Sequence, residues 1–199
     1  MSKAEGPFTR EIACQQILME DSSVFSVQWT TVPSGLRPRL SAEFLLERYL
    51  AYIRRFTLIL IRPVVAADGI AFRLAGTRRS LVLFTPPTRR EGPGHESLTL
   101  SICGGFLVQA RQCDRGELSF MLDDDVSGVR LTLRLTDYCP LLLGSSEPSR
   151  LRKWLYRFTQ AYIHKVVTVR FLARVYADLA GGGGCVRVVR ARVREGEDL

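Results

Sequence analysis

Apolar and polar positions alternate with a period of two along most of the chain and switch to a period near 3.6 in two places, which divides the sequence into elements. Residues 24–32 read as a strand, with Phe25, Val27 and Trp29 alternating against Ser26, Gln28 and Thr30. Ahead of them, residues 11–20 carry Ile12, Ile17, Leu18 and Met19 in a spacing that allows a short helix or a strand. After the turn-rich PSGLRPRL, residues 41–55 change period. Ser41 stands at the cap, Glu43 in the first turn and Arg54 and Arg55 in the last, while Phe44, Leu45, Tyr49, Tyr52 and Ile53 recur at steps of three and four. That pattern predicts a capped amphipathic helix whose charges suit its dipole.

A run of period-two segments follows. Residues 57–65 are nearly all apolar, which predicts a strand buried on both faces or one that ends at Pro63. Ala67-Asp68-Gly69 supplies a tight turn, and Ile70, Phe72 and Leu74 then alternate with Ala71, Arg73 and Ala75. A turn at 76–79 leads into a strand over 80–85, and residues 86–96 (PPTRREGPGHE) read as an exposed loop. Leu98, Leu100 and Ile102 share one face of the next strand, and Gly104-Gly105 marks a bulge or bend before the strand resumes over 106–110. Leu118, Phe120 and Leu122 share a face, Asp123 to Gly128 turns the chain, and Val129, Leu131, Leu133 and Leu135 oppose Arg130, Thr132, Arg134 and Thr136. One greasy face and one wet face predict an antiparallel sheet covered on one side.

The cover is a second helical segment. Ser145, Ser146, Glu147 and Pro148 form a start signal, and Leu151, Leu155, Phe158, Tyr162, Val166, Val169, Leu172, Tyr176 and Leu179 keep steps of three and four up to the glycines at 181–184. At 1.5 Å per residue such a helix is roughly 45 Å long and must lie across the full width of the sheet to bury its stripe. The tail over 185–193 alternates weakly, with Arg190, Arg192 and Arg194 spaced by two, and reads as an extra edge strand or a basic extended tail. The expected organisation is an N-terminal extension over 1–23, one domain over 24–180, and a Gly hinge with a basic tail over 181–199.

Composition narrows the class. With 199 residues, 46% hydrophobic and 24% charged, the chain can bury a core and is not wholly disordered. The most apolar stretch, 161–180, carries His164, Lys165, Arg170, Arg174 and Asp178, so no transmembrane segment is predicted. The N-terminal MSKAEGPFTREIACQQ has no apolar core behind its charges and does not read as a secretory signal. The net charge is +8, but nearly all the cations are Arg and they are scattered, which suits a solvated surface better than a dedicated anion site. Five cysteines (Cys14, Cys103, Cys113, Cys139 and Cys185) are widely spaced with only His95 and His164 to join them; this is neither a disulfide framework nor a zinc pattern, and it points to reduced thiols in a cytoplasmic protein.

The order of strand, helix, meander and long final helix resembles the helix-grip arrangement of the START-like superfamily, which includes the Bet v 1 allergens, polyketide cyclases and lipid-transfer domains. The resemblance spans about 24–180 and rests on element order, with no family motif. It implies an α+β fold in which a seven-stranded curved antiparallel sheet wraps a long C-terminal helix, a shorter helix lies between strands 1 and 2, and an apolar cavity lies between sheet and helix. A cupped sheet with a bend at Gly104-Gly105 permits such a cavity independently, the alternative being a core filled by its own aromatic residues, among them Trp29, Phe72, Phe106, Phe120, Trp154, Phe158 and Tyr162.

By facing pattern, the candidate ligand-binding residues are Trp29, Phe72, Leu100, Phe120, Leu133, Phe158, Tyr162 and His164. The expected partner is a hydrophobic small molecule or lipid, bound or transferred without a cofactor or metal. The same cavity allows an alternative, an enzyme of cyclase or hydrolase type with His164 or a tyrosine (Tyr138, Tyr156, Tyr162 or Tyr176) as acid–base group. No nucleophile elbow or Walker loop is present, and Asp123-Asp124-Asp125 reads as a hairpin tip rather than a metal site. A further alternative is a basic interaction module meeting nucleic acid or an anionic surface through Arg190, Arg192 and Arg194; without stacking aromatics, nucleic acid is the weaker partner. The pattern leaves homo-oligomerisation open.

Overall fold

The strand ahead of the first helix finds its partner in the last strand of the meander. In the computed structural model, which describes residues 10–109, 115–141, 143, 161–181 and 185–198, β2 (Val24–Val32) pairs antiparallel with β9 (Gly128–Tyr138). The sheet then runs back through β8 (Glu117–Asp125), β7 (His95–Gly104), β5 (Ser80–Phe84) and β4 (Gly69–Leu74) to an edge strand, β3 (Ile61–Ala66). On the other side of β2 lies β1 (Arg10–Leu18), flanked by β10 (Val186–Arg190) and β11 (Glu197–Asp198), while β6 (Thr88–Gly92) forms a hairpin with β7. Among the described residues two α-helices, α1 (Ala42–Phe56) and α2 (Tyr162–Ala180), lie against the sheet. The fold is α+β, with a sheet of eleven strands among the described residues. It is mixed because β10 runs parallel to β1.

That sheet is larger than the seven antiparallel strands expected, for identifiable reasons. Residues 10–18, expected to lie ahead of the domain, form a strand in the same sheet, and the tail adds two more strands to its edge. The stretch over 86–96 is not a loop, since residues 88–92 pair fully with β7. Its charged side chains, exposed along the whole strand, are those of an edge strand that must not recruit another chain. Residues 57–60 turn rather than extend, and Pro63 sits inside β3, where an edge position leaves its missing N–H unneeded. Beyond Gly104 the chain does not resume its strand. Gly105 has φ +122°, and a Cβ there would meet the Leu81 carbonyl oxygen at 2.5 Å, so only glycine allows the bend.

The helix α1 forms where its spacing predicts. The Ser41 hydroxyl accepts from the Phe44 N–H at 2.9 Å, and the buried carboxylate of Glu96 on β7 accepts from the Ala42 N–H at 2.9 Å, so two free amides of the first turn are satisfied. Its buried face, Leu45, Leu46, Tyr49 and Ile53, meets Leu98, Leu100 and Ile102 of β7, Leu118, Phe120 and Leu122 of β8, and Leu131, Leu133 and Leu135 of β9 in one core. Tyr49 joins the layers, its ring edge-on to Phe120 at 5.4 Å and to Phe171 of α2 at 5.2 Å.

On β2 the facing is opposite to expectation. Its helix-facing row is Val24, Ser26, Gln28, Thr30 and Val32, in register with Leu131, Leu133 and Leu135, whereas Phe25 and Val27 join Ile17, Met19 and Trp29 in a separate cluster on the far face. The far face is covered too: Gln15 binds the backbone of Val193 and Arg194 in the tail, and the Arg194 guanidinium lies 4.6 Å from the Phe25 ring centre. Most of these buried polar groups are paired, Thr30 donating to the Glu11 carbonyl at 3.0 Å, while Gln28 Oε1 has no partner among the described residues. The Gln28 amide donates to Ser26 Oγ at 2.7 Å, and Gln16 donates to the Ala161 carbonyl at 3.2 Å.

The long C-terminal helix is described from Tyr162 onward; the start signal at 145–148, Trp154 and Phe158 lie outside the described residues. The buried face of α2 is Val167, Thr168, Phe171, Leu172, Val175 and Leu179, rotated by about one residue from the expected stripe. Tyr162 is therefore 63% exposed. The buried Thr168 hydroxyl returns to the His164 carbonyl at 2.9 Å, and the helix stops at Gly181, where φ is +70°.

Candidate functional site

A cavity of about 190 Å³ lies where the C-terminal half of α1, the first turns of α2 and the bent end of the sheet meet. From α1 come Tyr49, Ile53 and Phe56, with Thr57 at its C-terminal cap; from β3, β4 and β5 come Ile61, Phe72, Val82 and Phe84. The ends of β7, β8 and β9 give Ile102, Leu118, Leu135 and Tyr138, and α2 closes the wall with Ile163, His164 and Val167. The bend at Gly105 brings Leu107 into the lining, held by its N–H on the Leu81 carbonyl at 2.9 Å and by the Tyr138 hydroxyl on its own carbonyl at 2.8 Å. Thr57 ties helix to sheet: its hydroxyl donates to the Ile53 carbonyl at 2.8 Å and accepts from the Ile61 N–H at 3.0 Å. The phenyl rings of Phe72 and Phe84 meet edge-on at 5.4 Å, which stiffens the strand wall.

The lining is apolar except for a few groups, and burial keeps two of those, His164 and Tyr49, uncharged. Burial lowers the His164 imidazole to about 4, so near neutral pH the ring carries no charge and offers one donor and one acceptor. Among the described residues none hydrogen-bonds that ring, which leaves both nitrogens for a guest. Burial pushes the Tyr49 phenol well above its usual range, so it too stays protonated. Such a chamber favours an uncharged, mostly hydrocarbon molecule with at most one polar end.

The structure brings only part of the expected set together. Phe72 and His164 line the cavity. Leu100, Phe120 and Leu133 are packed into the solid part of the core with almost no exposure and do not line it. Trp29 is on the opposite face of the sheet, because β2 presents its polar row to the helices, and Tyr162 points outward from α2. Phe158 lies outside the described residues. Among the tyrosines considered, Tyr138 lines the cavity, Tyr176 lies 4.5 Å beneath the Arg10 guanidinium, and Tyr156 is outside the described residues. Tyr49 and Ile53 were detectable only as part of the apolar stripe of α1, and nothing local marks Phe56, Leu107 or Val82 as lining.

Other candidate chemistry resolves into local contacts. Asp123 meets His95 Nδ1 at 2.6 Å, Asp124 accepts from Arg37 at 2.9 Å, and Asp125 accepts from Arg130 at 2.8 Å, so each carboxylate of the acidic run is engaged. Cys14 and Cys139 are buried free thiols, Cys103 and Cys185 exposed ones, and Cys113 lies outside the described residues. Burial raises the Cys14 thiol pKa, which suits packing rather than nucleophilic work. Of the basic tail, residues 186–190 are held as a strand beside β1, with Arg187 facing Glu11 at 3.7 Å, whereas Arg192 and Arg194 lie beyond that strand. No helix of the described residues is long and apolar enough to cross a membrane.

No family model matches this chain, and no curated protein matches it. Among solved structures, it is similar to CalU16 from Micromonospora echinospora at 12% identity, covering 86% of this chain and 96% of that one with a TM-score of 0.31, an overlap too loose to carry an argument about fold or function.

Proposed function

We propose that this protein binds or transfers a small hydrophobic molecule, held without covalent attachment in the cavity between sheet and helices. The observation that supports this reading is the cavity itself: about 190 Å³ of apolar space at a junction of three elements, with the neutral His164 at its wall. An apolar cavity of ~150 Å³ is enough to take benzene, and drug-sized ligands need ~300 Å³ or more. The guest is accordingly about one substituted ring or a short chain, and a lipid fits only with its head outside. Apolar burial at roughly 25 cal/mol per Å² supplies affinity, and His164 orients a single polar end. The order β2-β9-β8-β7-β5-β4-β3, with a final helix against it, is compatible with the helix-grip resemblance.

Native mass spectrometry of the full chain as purified tests the reading, together with uptake of a ring-sized fluorescent probe. It predicts a co-purified apolar mass or saturable uptake; neither signal would mean that the space is a packing defect. His164 also favours a second reading, an enzyme of cyclase or hydrolase type in which the neutral imidazole takes a proton from a bound substrate. That reading requires His164→Gln to abolish turnover while leaving probe binding intact.

A further inference from the structure

We propose that the mouth of this cavity docks on an anionic lipid bilayer, led by the aliphatic turn at residues 58–60. Three consecutive large aliphatic residues face solvent there: Leu58 is 89% exposed, Ile59 46% and Leu60 57%. They directly follow α1 and lie between Thr57 and Ile61, both of which line the cavity. The Ile59 N–H closes on the Arg54 carbonyl at 2.8 Å and the Leu58 N–H on the Arg55 carbonyl at 3.1 Å, as at a helix end where glycine ordinarily takes the left-handed position. Leu58 and Ile59 have φ of +49° and +69°. A β-branched residue in that region is an outlier, and a turn needed only to stop a helix is better served by glycine. Here the chain holds bulky hydrocarbon in a strained backbone and in water. Phe106, 56% exposed, and Ile163, also 56%, continue the apolar lip, each at or beside a lining position.

Charge selects the occupant. Between residues 54 and 80 the chain carries Arg54, Arg55, Arg62, Arg73, Arg78 and Arg79 against one acid, Asp68, which lies at the opposite end of the β3–β4 hairpin. All six arginines are exposed, and among the described residues none forms an ion pair. Arg62 and Arg73 stand directly opposite each other across β3 and β4, a like-charge pairing that an isolated hairpin disfavours and an external anion relieves. The turn carrying Arg78 and Arg79 adjoins Leu60, whose carbonyl accepts from Ala75 at 2.8 Å. A protein partner would need a socket for three protruding aliphatic side chains with carboxylates set around it. A bilayer with anionic headgroups offers hydrocarbon beneath negative charge by composition alone. The inference extends the ligand-binding reading, since the docked lip would let an apolar guest pass between cavity and membrane without crossing water, but the two can fail separately.

Flotation of the full chain with phosphatidylcholine vesicles containing about a third phosphatidylserine, at ~0.1 M salt, tests it. The protein is expected to float with these vesicles and not with phosphatidylcholine alone, and to be released as salt rises. Leu58→Asp should lower partitioning at least about tenfold, and Arg78→Ala and Arg79→Ala about fivefold each, with unchanged circular dichroism because all three side chains are exposed. No flotation with anionic vesicles overturns the proposal, as does flotation that Leu58→Asp leaves unchanged, including the case in which that variant alters only self-association. Probe uptake by the same variants in vesicle-free solution separates the two readings. Retained uptake without flotation removes the docking surface alone, and flotation without uptake removes the cavity reading alone.

Discussion

His164 is held by α2 at the wall of an apolar chamber, and the consequence can be read in stability. Its folded pKa is about 4 against an ordinary 6.5, so between those values the unfolded chain binds a proton that the folded chain refuses. Folding is unaffected by this group above about pH 6.5 and is progressively weakened as pH falls towards 4, by about 2 kcal/mol once partial access to water is allowed for. Urea titrations across that range should show the decline, and His164→Leu should flatten it; an unchanged slope in the variant would place the acid sensitivity elsewhere. The residue was detectable in sequence as a histidine one step from an apolar stripe. Trp29 and Tyr162 were misplaced because alternation fixes a period and not a face. On β2 both faces are buried, one by α2 and the other by the tail, and on α2 apolar residues at 166, 167, 169, 171 and 172 leave the stripe free to rotate by one position.

Elements with strong local signals formed where the pattern put them. The helix α1 had its cap and terminal charges, and β7, β8 and β9 had uninterrupted alternation. Elements whose stability depends on distant partners were ambiguous, since β1 and the tail hold each other across more than 170 residues. The buried Gln15 side chain is the clasp, its Oε1 accepting from the Val193 N–H at 2.7 Å and the Arg194 N–H at 3.0 Å. Gln15→Ala leaves these groups unpaired, and about 2 kcal/mol of local stability should be lost. Hydrogen exchange should then accelerate at residues 186–194 with little change in β8 and β9. Uniform acceleration would mean that the tail and the sheet open as one unit instead.

At the scale of the molecule, a sheet bent at Gly105 and the helices α1 and α2, joined through Tyr49, line an open cavity that no single element specifies. The cavity was inferable as a consequence of a cupped sheet, but its lining was not, because Leu107, Val82 and Phe56 meet only once the bend, the hairpin and the end of α1 are assembled. Val82, on the strand wall, is the place to fill it. The most direct measurement is a calorimetric titration of the full chain with a ring-sized apolar probe, repeated on Val82→Trp. The account predicts saturable one-to-one binding with a negative heat-capacity change, weakened at least about tenfold in a variant that stays folded. Absence of binding, or equal affinity in protein and variant, would contradict it.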